Sequence, residues 1–345
     1  GIVGTPITIY GSGFGTNEDI YIDFGTTNNW SVALKGDMGT KGTFAVTNVV
    51  DVQPYGITGM TATGQASAHA GTSAFTILPA IVWVSPTSGT VGALVSMLGN
   101  GYNANQQIVV YFGTGVPQRP GTEYIWDTGA TMTTSSTDQD GSFTASFTVD
   151  WQVYGTTTVL ARDANYKYAE KVFIIQPNIW ISPLSGTVGS EVLVKGNGYS
   201  GNSSQLRVSF GITTTRTQTN TDSNGSFTVT FTINTQPYAA KTVTVRQSNI
   251  GIESYASFDI EAAITEVTPS SGTVGLTITV KGNGCYYTDG MNWVKIDFGN
   301  KLNVRNPGVE INGSFQTTFA INSQLYGTKT ITATIPLVNT DVIKT

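Results

Sequence analysis

Gly272-Thr273-Val274-Gly275-Leu276-Thr277-Ile278-Thr279-Val280-Lys281-Gly282-Asn283-Gly284 is one of four versions of the same stretch in this 345-residue chain. Ser185–Gly198 reads SGTVGSEVLVKGNG, Ser88–Gly101 reads SGTVGALVSMLGNG, and Gly1–Gly13 reads GIVGTPITIYGSG. The glycine after valine precedes the next glycine by seven residues each time: Gly4 to Gly11, Gly92 to Gly99, Gly189 to Gly196, Gly275 to Gly282. A unit of fixed internal spacing, repeated along the chain, reads as an array.

Each copy continues in the same order. Phe-Gly follows at Phe24-Gly25, Phe112-Gly113, Phe210-Gly211 and Phe298-Gly299. Gly-Ser/Thr-Phe comes next, at Gly42, Gly141, Gly225 and Gly313. Thirteen residues beyond that glycine stands a tyrosine (Tyr55, Tyr154, Tyr238, Tyr326), with a glutamine two before it (Gln53, Gln152, Gln236, Gln324). The period inside a copy is two. Ile278 and Val280 alternate with Thr277, Thr279 and Lys281, and Phe227, Val229, Phe231 and Ile233 alternate with threonines. Such alternation turns one face of a strand to a core and the other to water. Asp140-Gly141, Asn224-Gly225 and Asn312-Gly313 are hairpin-turn dipeptides, because both residues tolerate positive φ. No stretch has amphipathic helical spacing.

Four units of roughly 85 to 97 residues are each long enough for a small core, so four domains are expected in preference to one. The boundaries read 1–79, 80–176, 177–261 and 262–345. The first unit begins at the SGTVG turn and so lacks the first strand, which elsewhere reads Ile81-Val82-Trp83-Val84-Ser85-Pro86, Ile179-Trp180-Ile181-Ser182-Pro183 and Ile264-Thr265-Glu266-Val267-Thr268-Pro269. The second carries a loop insertion at about 114–134. The fourth is expected to have a truncated last strand, since Phe75, Phe173 and Phe258 lie 19 or 20 residues past their tyrosines and the chain ends at Thr345. Gly1 in place of Met points to a processed or truncated product.

Charged residues make up 11% of the chain and the net charge is −5, with no basic cluster, which argues against nucleic acid as a partner. No apolar run reaches the ~18 residues of a membrane span. The single cysteine, Cys285, excludes an internal disulfide framework and reads as a packing residue or as a lone thiol. The single histidine, His69, leaves no Ser-His-Asp or zinc constellation in view. Asp-Phe-Gly at Asp23 and Asp297 has no accompanying phosphate loop.

The P-x-SGTVG segment, the Gly196-Asn197-Gly198-Tyr199 turn, the Phe-Gly, the Asp/Asn-Gly-Ser-Phe hairpin and the closing Phe-x-Ile together resemble the IPT/TIG immunoglobulin-like domain, over nearly the whole chain. That resemblance implies an all-β fold of four tandem immunoglobulin-like β-sandwich domains in an elongated array. The family's transcription factors use basic loops absent here, and the Thr/Asn/Gly-rich composition is most similar to prokaryotic surface-array and filament proteins. The resemblance therefore implies an extracellular or cell-surface, non-enzymatic structural subunit, partnering itself head to tail. An adhesin stalk or carbohydrate-binding ancillary module is the alternative, with glycans as partners.

Candidate sites follow from residue type. Asp138 and Asp140, and Asp222 and Asn224, place oxygen ligands at i and i+2 as calcium loops do, although turn formation alone also accounts for them. Otherwise no cofactor is expected. N-x-S/T glycosylation sequons stand at Asn29, Asn202, Asn224 and Asn312. Trp83 and Trp180 occupy equivalent places in the linking strand. If Val82 and Val84 face the core, the Trp83 indole faces out, against a neighbouring unit or another subunit. Tyr124 and Trp126 in the insertion are interface or sugar-stacking candidates.

Overall fold

The structure is a computed structural model that describes residues 1–34, 41–113, 130–203, 205–287, 293–335 and 340–344. It is all-β and falls into two compact units, Gly1–Gln176 and Pro177–Thr345. Among the described residues no helix is long and apolar enough to cross a membrane.

In the first unit, residues 1–79 form β1 (Pro6–Gly11), β2 (Ile20–Phe24), β3 (Thr27–Ala33), β4 (Phe44–Val49), β5 (Gly56–Gly64) and β6 (Ala70–Ile77). Residues 80–176 form β7 (Ala80–Ser85), β8 (Ser88–Gly89), β9 (Leu94–Asn100), β10 (Gln107–Gly113), β11 (Ala130–Ser136), β12 (Phe143–Thr148), β13 (Gly155–Asp163) and β14 (Tyr168–Ile175). Four sheets result, with orders β1-β4, β3-β2-β5-β6, β12-β9-β7 and β11-β10-β13-β14-β8.

The second unit repeats the scheme. Residues 177–261 contribute β15 (Asn178–Ser182), β16 (Ser185–Thr187), β17 (Glu191–Asn197), β18 (Leu206–Phe210), β19 (Thr213–Thr219), β20 (Phe227–Thr232), β21 (Ala239–Gln247) and β22 (Ile252–Glu261). Residues 262–345 contribute β23 (Ala263–Thr268), β24 (Thr277–Asn283), β25 (Lys295–Phe298), β26 (Lys301–Arg305), β27 (Phe315–Ala320), β28 (Ile331–Ile335) and β29 (Thr340–Lys344). Their sheets run β15-β17-β20, β16-β22-β21-β18-β19, β23-β24-β27 and β26-β25-β28-β29. Among the described residues the strand pairings are antiparallel except β8 with β14 and β16 with β22, and the isolated bridge between Ile2 and Leu78 is also parallel. Two sheets of this order, closing over one core with a short strand crossing between them, make the immunoglobulin-like sandwich.

The repeated sequence marks are the core itself. Phe112, Phe147 and Phe173 meet with ring centroids 5.2 and 5.5 Å apart, and Phe210, Phe231 and Phe258 do so at 5.2 and 5.7 Å. The turn tyrosines Tyr102 and Tyr199 are fully buried against Phe143 and Phe227. Offset and edge-on ring contacts of this kind add to plain area burial. Cys285 fills the same slot at 2% exposure, and burial pushes its thiol up to about 12, so packing is its role.

Two expectations are corrected. The insertion ends earlier than 134, because Ala130–Ser136 is β11, paired along β10. The alternation through Val82, Trp83 and Val84 is broken by a register shift between Ile81 and Trp83. Val82 and Trp83 are 41% and 40% exposed and only Val84 is buried. A bulge adds one residue, which turns two successive side chains outward. β15 has no bulge, so Ile179 and Ile181 are buried and Trp180 is exposed.

The outer edge of β1 is different from its counterparts. Among the described residues β9, β17 and β24 each carry a strand on both sides, and β1 pairs with β4 alone. The core registers this. Val95, Met97, Val192 and Val194 are fully buried, while the equivalent Ile7 and Ile9 are half-buried. The apolar residues of 1–79 also divide between two clusters, one around Ile20, Ile22 and Phe44 and one around Phe24, Val50 and Ile77.

Candidate functional site: the joint between repeats

Within each unit two successive repeats meet through the same pair of backbone groups. In the first, the Tyr55 N–H donates to the Tyr102 carbonyl at 2.8 Å. In the second, the Tyr238 N–H donates to the Cys285 carbonyl at 3.1 Å. The donor is the tyrosine spaced thirteen residues from the hairpin glycine, and the acceptor is the residue after the Gly-Asn-Gly turn. The sequence showed that spacing but not its purpose.

Each half of the joint is built from inside its own sandwich. On the donor side the glutamine two residues earlier folds back onto the Phe-Gly turn. The Gln236 Nε2 donates to the Phe210 carbonyl at 3.3 Å and to Asn234 Oδ1 at 2.8 Å, while its Oε1 accepts the Ile212 N–H at 3.2 Å. Gln324 repeats this with the Phe298 carbonyl at 3.1 Å and the Asn300 N–H at 3.3 Å. Gly211, at φ 54°, leaves the space: a Cβ there would lie 2.0 Å from Gln236 Oε1. On the acceptor side the turn residue is held by the hairpin glycine, with Tyr102 N–H to Gly141 O at 3.1 Å and Cys285 N–H to Gly313 O at 2.9 Å. That bond turns the neighbouring carbonyl outward to meet the tyrosine. Lys167 adds a cation–π contact, its Nζ 4.6 Å from the Tyr55 ring centre.

The receiving turn of the first repeat has its own brace. Glu18 is 4% exposed and its carboxylate accepts four hydrogen bonds: Gly15 N–H at 2.5 Å, Ala66 N–H at 2.9 Å, Ser67 N–H at 2.8 Å and Ser67 hydroxyl at 2.7 Å. In 80–176 the same work falls to Asp163, which accepts the N–H groups of Asn103, Asn165 and Lys167. Gly64 occupies the Asp163 position, and its missing side chain makes room for Glu18. The Ser67 bonds, followed by those of Gly15 and Ala66, hold the Glu18 carboxyl down to about 2. A carboxyl lowered on folding stabilises above its ordinary value near 4.5 and loses that contribution as the pH falls toward about 2. Thermal unfolding followed from pH 6 to pH 2 is expected to show an acid-side loss that Glu18→Gln flattens.

No protein-family model matches the chain, and no curated protein matches it. Solved structures do. Trypsin-activated alpha-2-macroglobulin from Escherichia coli matches at 11% identity over 99% of this chain and 29% of that one, with a TM-score of 0.24. The ICAM-5 D1–D4 ectodomain fragment matches at 13% identity over 100% and 95%, TM-score 0.25. A putative membrane anchored protein from Corynebacterium diphtheriae matches at 9% identity over 98% and 96%, TM-score 0.25. The chain spans under a third of the alpha-2-macroglobulin it matches. Overlaps of this size carry no functional argument.

The remaining candidates are placed as follows. Asp138 Oδ1 accepts the N–H groups of Asp140 and Ser142, both at 2.9 Å, and Asp222 Oδ1 accepts those of Asn224 and Ser226, both at 2.9 Å. These oxygens close the hairpin turns. No group of three or more His, Cys, Asp or Glu gathers among the described residues. Asn29, Asn202, Asn224 and Asn312 are all exposed, the first two at positive φ, Asn29 within β3 and the other three in turns. Trp180 is 43% exposed. Tyr124 and Trp126 lie outside the described residues.

Proposed function

We propose that this chain is a non-enzymatic structural subunit of an extracellular surface layer or filament, made of four IPT/TIG-like sandwiches (1–79, 80–176, 177–261, 262–345) and joined to its own copies. The observation that carries this reading is the pair of exposed tryptophans, Trp83 on β7 and Trp180 on β15, 40% and 43% exposed at equivalent places of two repeats. An exposed aromatic anchors another protein surface. Unpaired sheet edges add further contacts, with main-chain hydrogen bonds supplying affinity. Nothing in this role needs a metal or a cofactor. The exposed sequons are compatible with a glycosylated surface protein.

Negative-stain microscopy of the concentrated protein is expected to show filaments or a lattice, and a field of isolated rods at every concentration would count against the proposal. Trp180→Ser is expected to keep the parent's unfolding temperature, because the side chain is exposed, and to weaken assembly in the same micrographs.

A further inference from the structure

The repeat 177–261 carries a pair of arginines that its own fold does not use. Arg207 on β18 and Arg246 on β21 stand directly opposite each other in the sheet register, and both are exposed. Like charges in that relation cost stability. Among the described residues Arg207 has no acceptor, and Arg246 has Glu253, 3.4 Å from its Nε. The equivalent places in the other repeats are arranged differently. In 80–176 Val109 faces Arg162, whose guanidinium donates to the Tyr111 hydroxyl at 2.8 Å and lies 4.9 Å from the Tyr166 ring centre. In 1–79 the pair is Tyr21 with Thr63. In 262–345 it is Lys295 with Thr334, and the lysine is bonded to Asp297 at 3.0 Å. In 177–261 Ser209 stands where Tyr111 does, so Arg246 lacks the ring and hydroxyl that hold Arg162.

A depression of about 660 Å³ lies on this face, lined by both arginines, Glu253, Ser209, Thr213 and Thr244. Its size falls within the ~300–1,000 Å³ of small-ligand sites. Beside it Tyr255, opposite Thr244 on β22, is 60% exposed, and its hydroxyl donates to Glu253. We infer that this face binds an acidic saccharide, a sugar of the uronic-acid type whose carboxylate is taken by Arg207 and Arg246. A guanidinium meets a carboxylate through two parallel N–H bonds. Two facing cations on a chain of net charge −5 mark a local place for a negative group. The hydroxyl side chains match those of a sugar, and the Tyr255 ring gives the apolar face of a pyranose a surface to lie against. The site belongs to one repeat and goes beyond the assembly reading: it stands whether or not copies of the chain join.

Titration calorimetry of the whole chain at low salt tests it with three probes: trigalacturonate, neutral galactotriose and tetraglutamate. Trigalacturonate is expected to bind more tightly than galactotriose by about tenfold, the worth of one charge-assisted hydrogen bond. Arg207→Gln is expected to abolish that advantage while holding or raising the unfolding temperature, because a like-charge contact is removed. Lys195→Gln removes the same charge from an exposed place on the other sheet and is expected to leave binding unchanged. Tyr255→Ala is expected to weaken trigalacturonate and to leave tetraglutamate as it was. Failure of trigalacturonate to bind overturns the inference, as does an equal loss in Lys195→Gln and Arg207→Gln. Tetraglutamate binding as tightly as trigalacturonate, with Tyr255→Ala affecting neither, gives the arginines to an acidic peptide and overturns the saccharide. None of these results bears on the micrographs that test assembly.

Discussion

Replacing Gln236 with alanine is expected to destabilise the Pro177–Thr345 unit by about 3–5 kcal/mol, the largest single-residue loss outside the aromatic core. The side chain is fully buried, so truncation leaves a cavity. The loss is larger than a cavity alone, because the Ile212 N–H, the Phe210 carbonyl and the Asn234 Oδ1 all lose a partner together. An unsatisfied buried polar group costs more than its hydrogen bond contributes. Urea unfolding is the measurement. Gln236→Glu separates shape from bonding: it fits the space but turns a carboxylate on two acceptors. Burial disfavours the charged form and raises its pKa on folding, so this variant is most stable in acid and weakens as the pH rises. The same change at half-buried Gln324 is expected to cost less.

The second large effect is expected from Gly313→Val. Gly313 sits at φ 79°, and a Cβ would lie 2.4 Å from the Pro237 Cα and 2.9 Å from the Cys285 carbonyl. Left-handed backbone costs a branched residue about 1–2 kcal/mol, and forcing two backbones apart adds about 1–3 kcal/mol. Gly327→Ala is the control, since Gly327 has φ 126° and open space around it. Hydrogen exchange supplies the specific readout. The Tyr238 amide, protected by the Cys285 carbonyl in the parent, is expected to exchange freely in Gly313→Val while amides in the middle of β17 and β20 stay protected. Loss of protection everywhere at once would mean that the joint and the sandwiches are not separable.

How much of this was legible depends on whether a residue's job is local. The alternation in β9, β17, β20 and β24 read directly, because a strand with one face on a core has only one way to arrange its side chains. The phenylalanines of the Phe-Gly and the closing strand were visible as fixed spacings, and in 80–176 and 177–261 they meet in one aromatic group, while the hairpin phenylalanine packs on the turn tyrosine. The fixed glutamine and tyrosine were equally visible as spacings but silent as to role. Their partners are main-chain atoms of another turn, and a carbonyl leaves no signature in sequence. The Val82 bulge was missed because one inserted residue in a short apolar strand looks like continued alternation. Glu18 was missed for a different reason: in 80–176 its task is done by Asp163 on another strand, so no column of the repeat carries an acid.

The hydrogen bond at the joint is made by the peptide backbone alone, beside a side-chain contact of Lys167 on Tyr55 in the first unit. Tyr102 and Cys285 present the same carbonyl although their side chains have nothing in common, so substitution at that place leaves the fit between neighbours intact. Duplicating one repeat also duplicates a donor loop and an acceptor turn together. A gene encoding such a chain can therefore lengthen or shorten by whole units, each newcomer arriving already compatible with whatever stands before and after it.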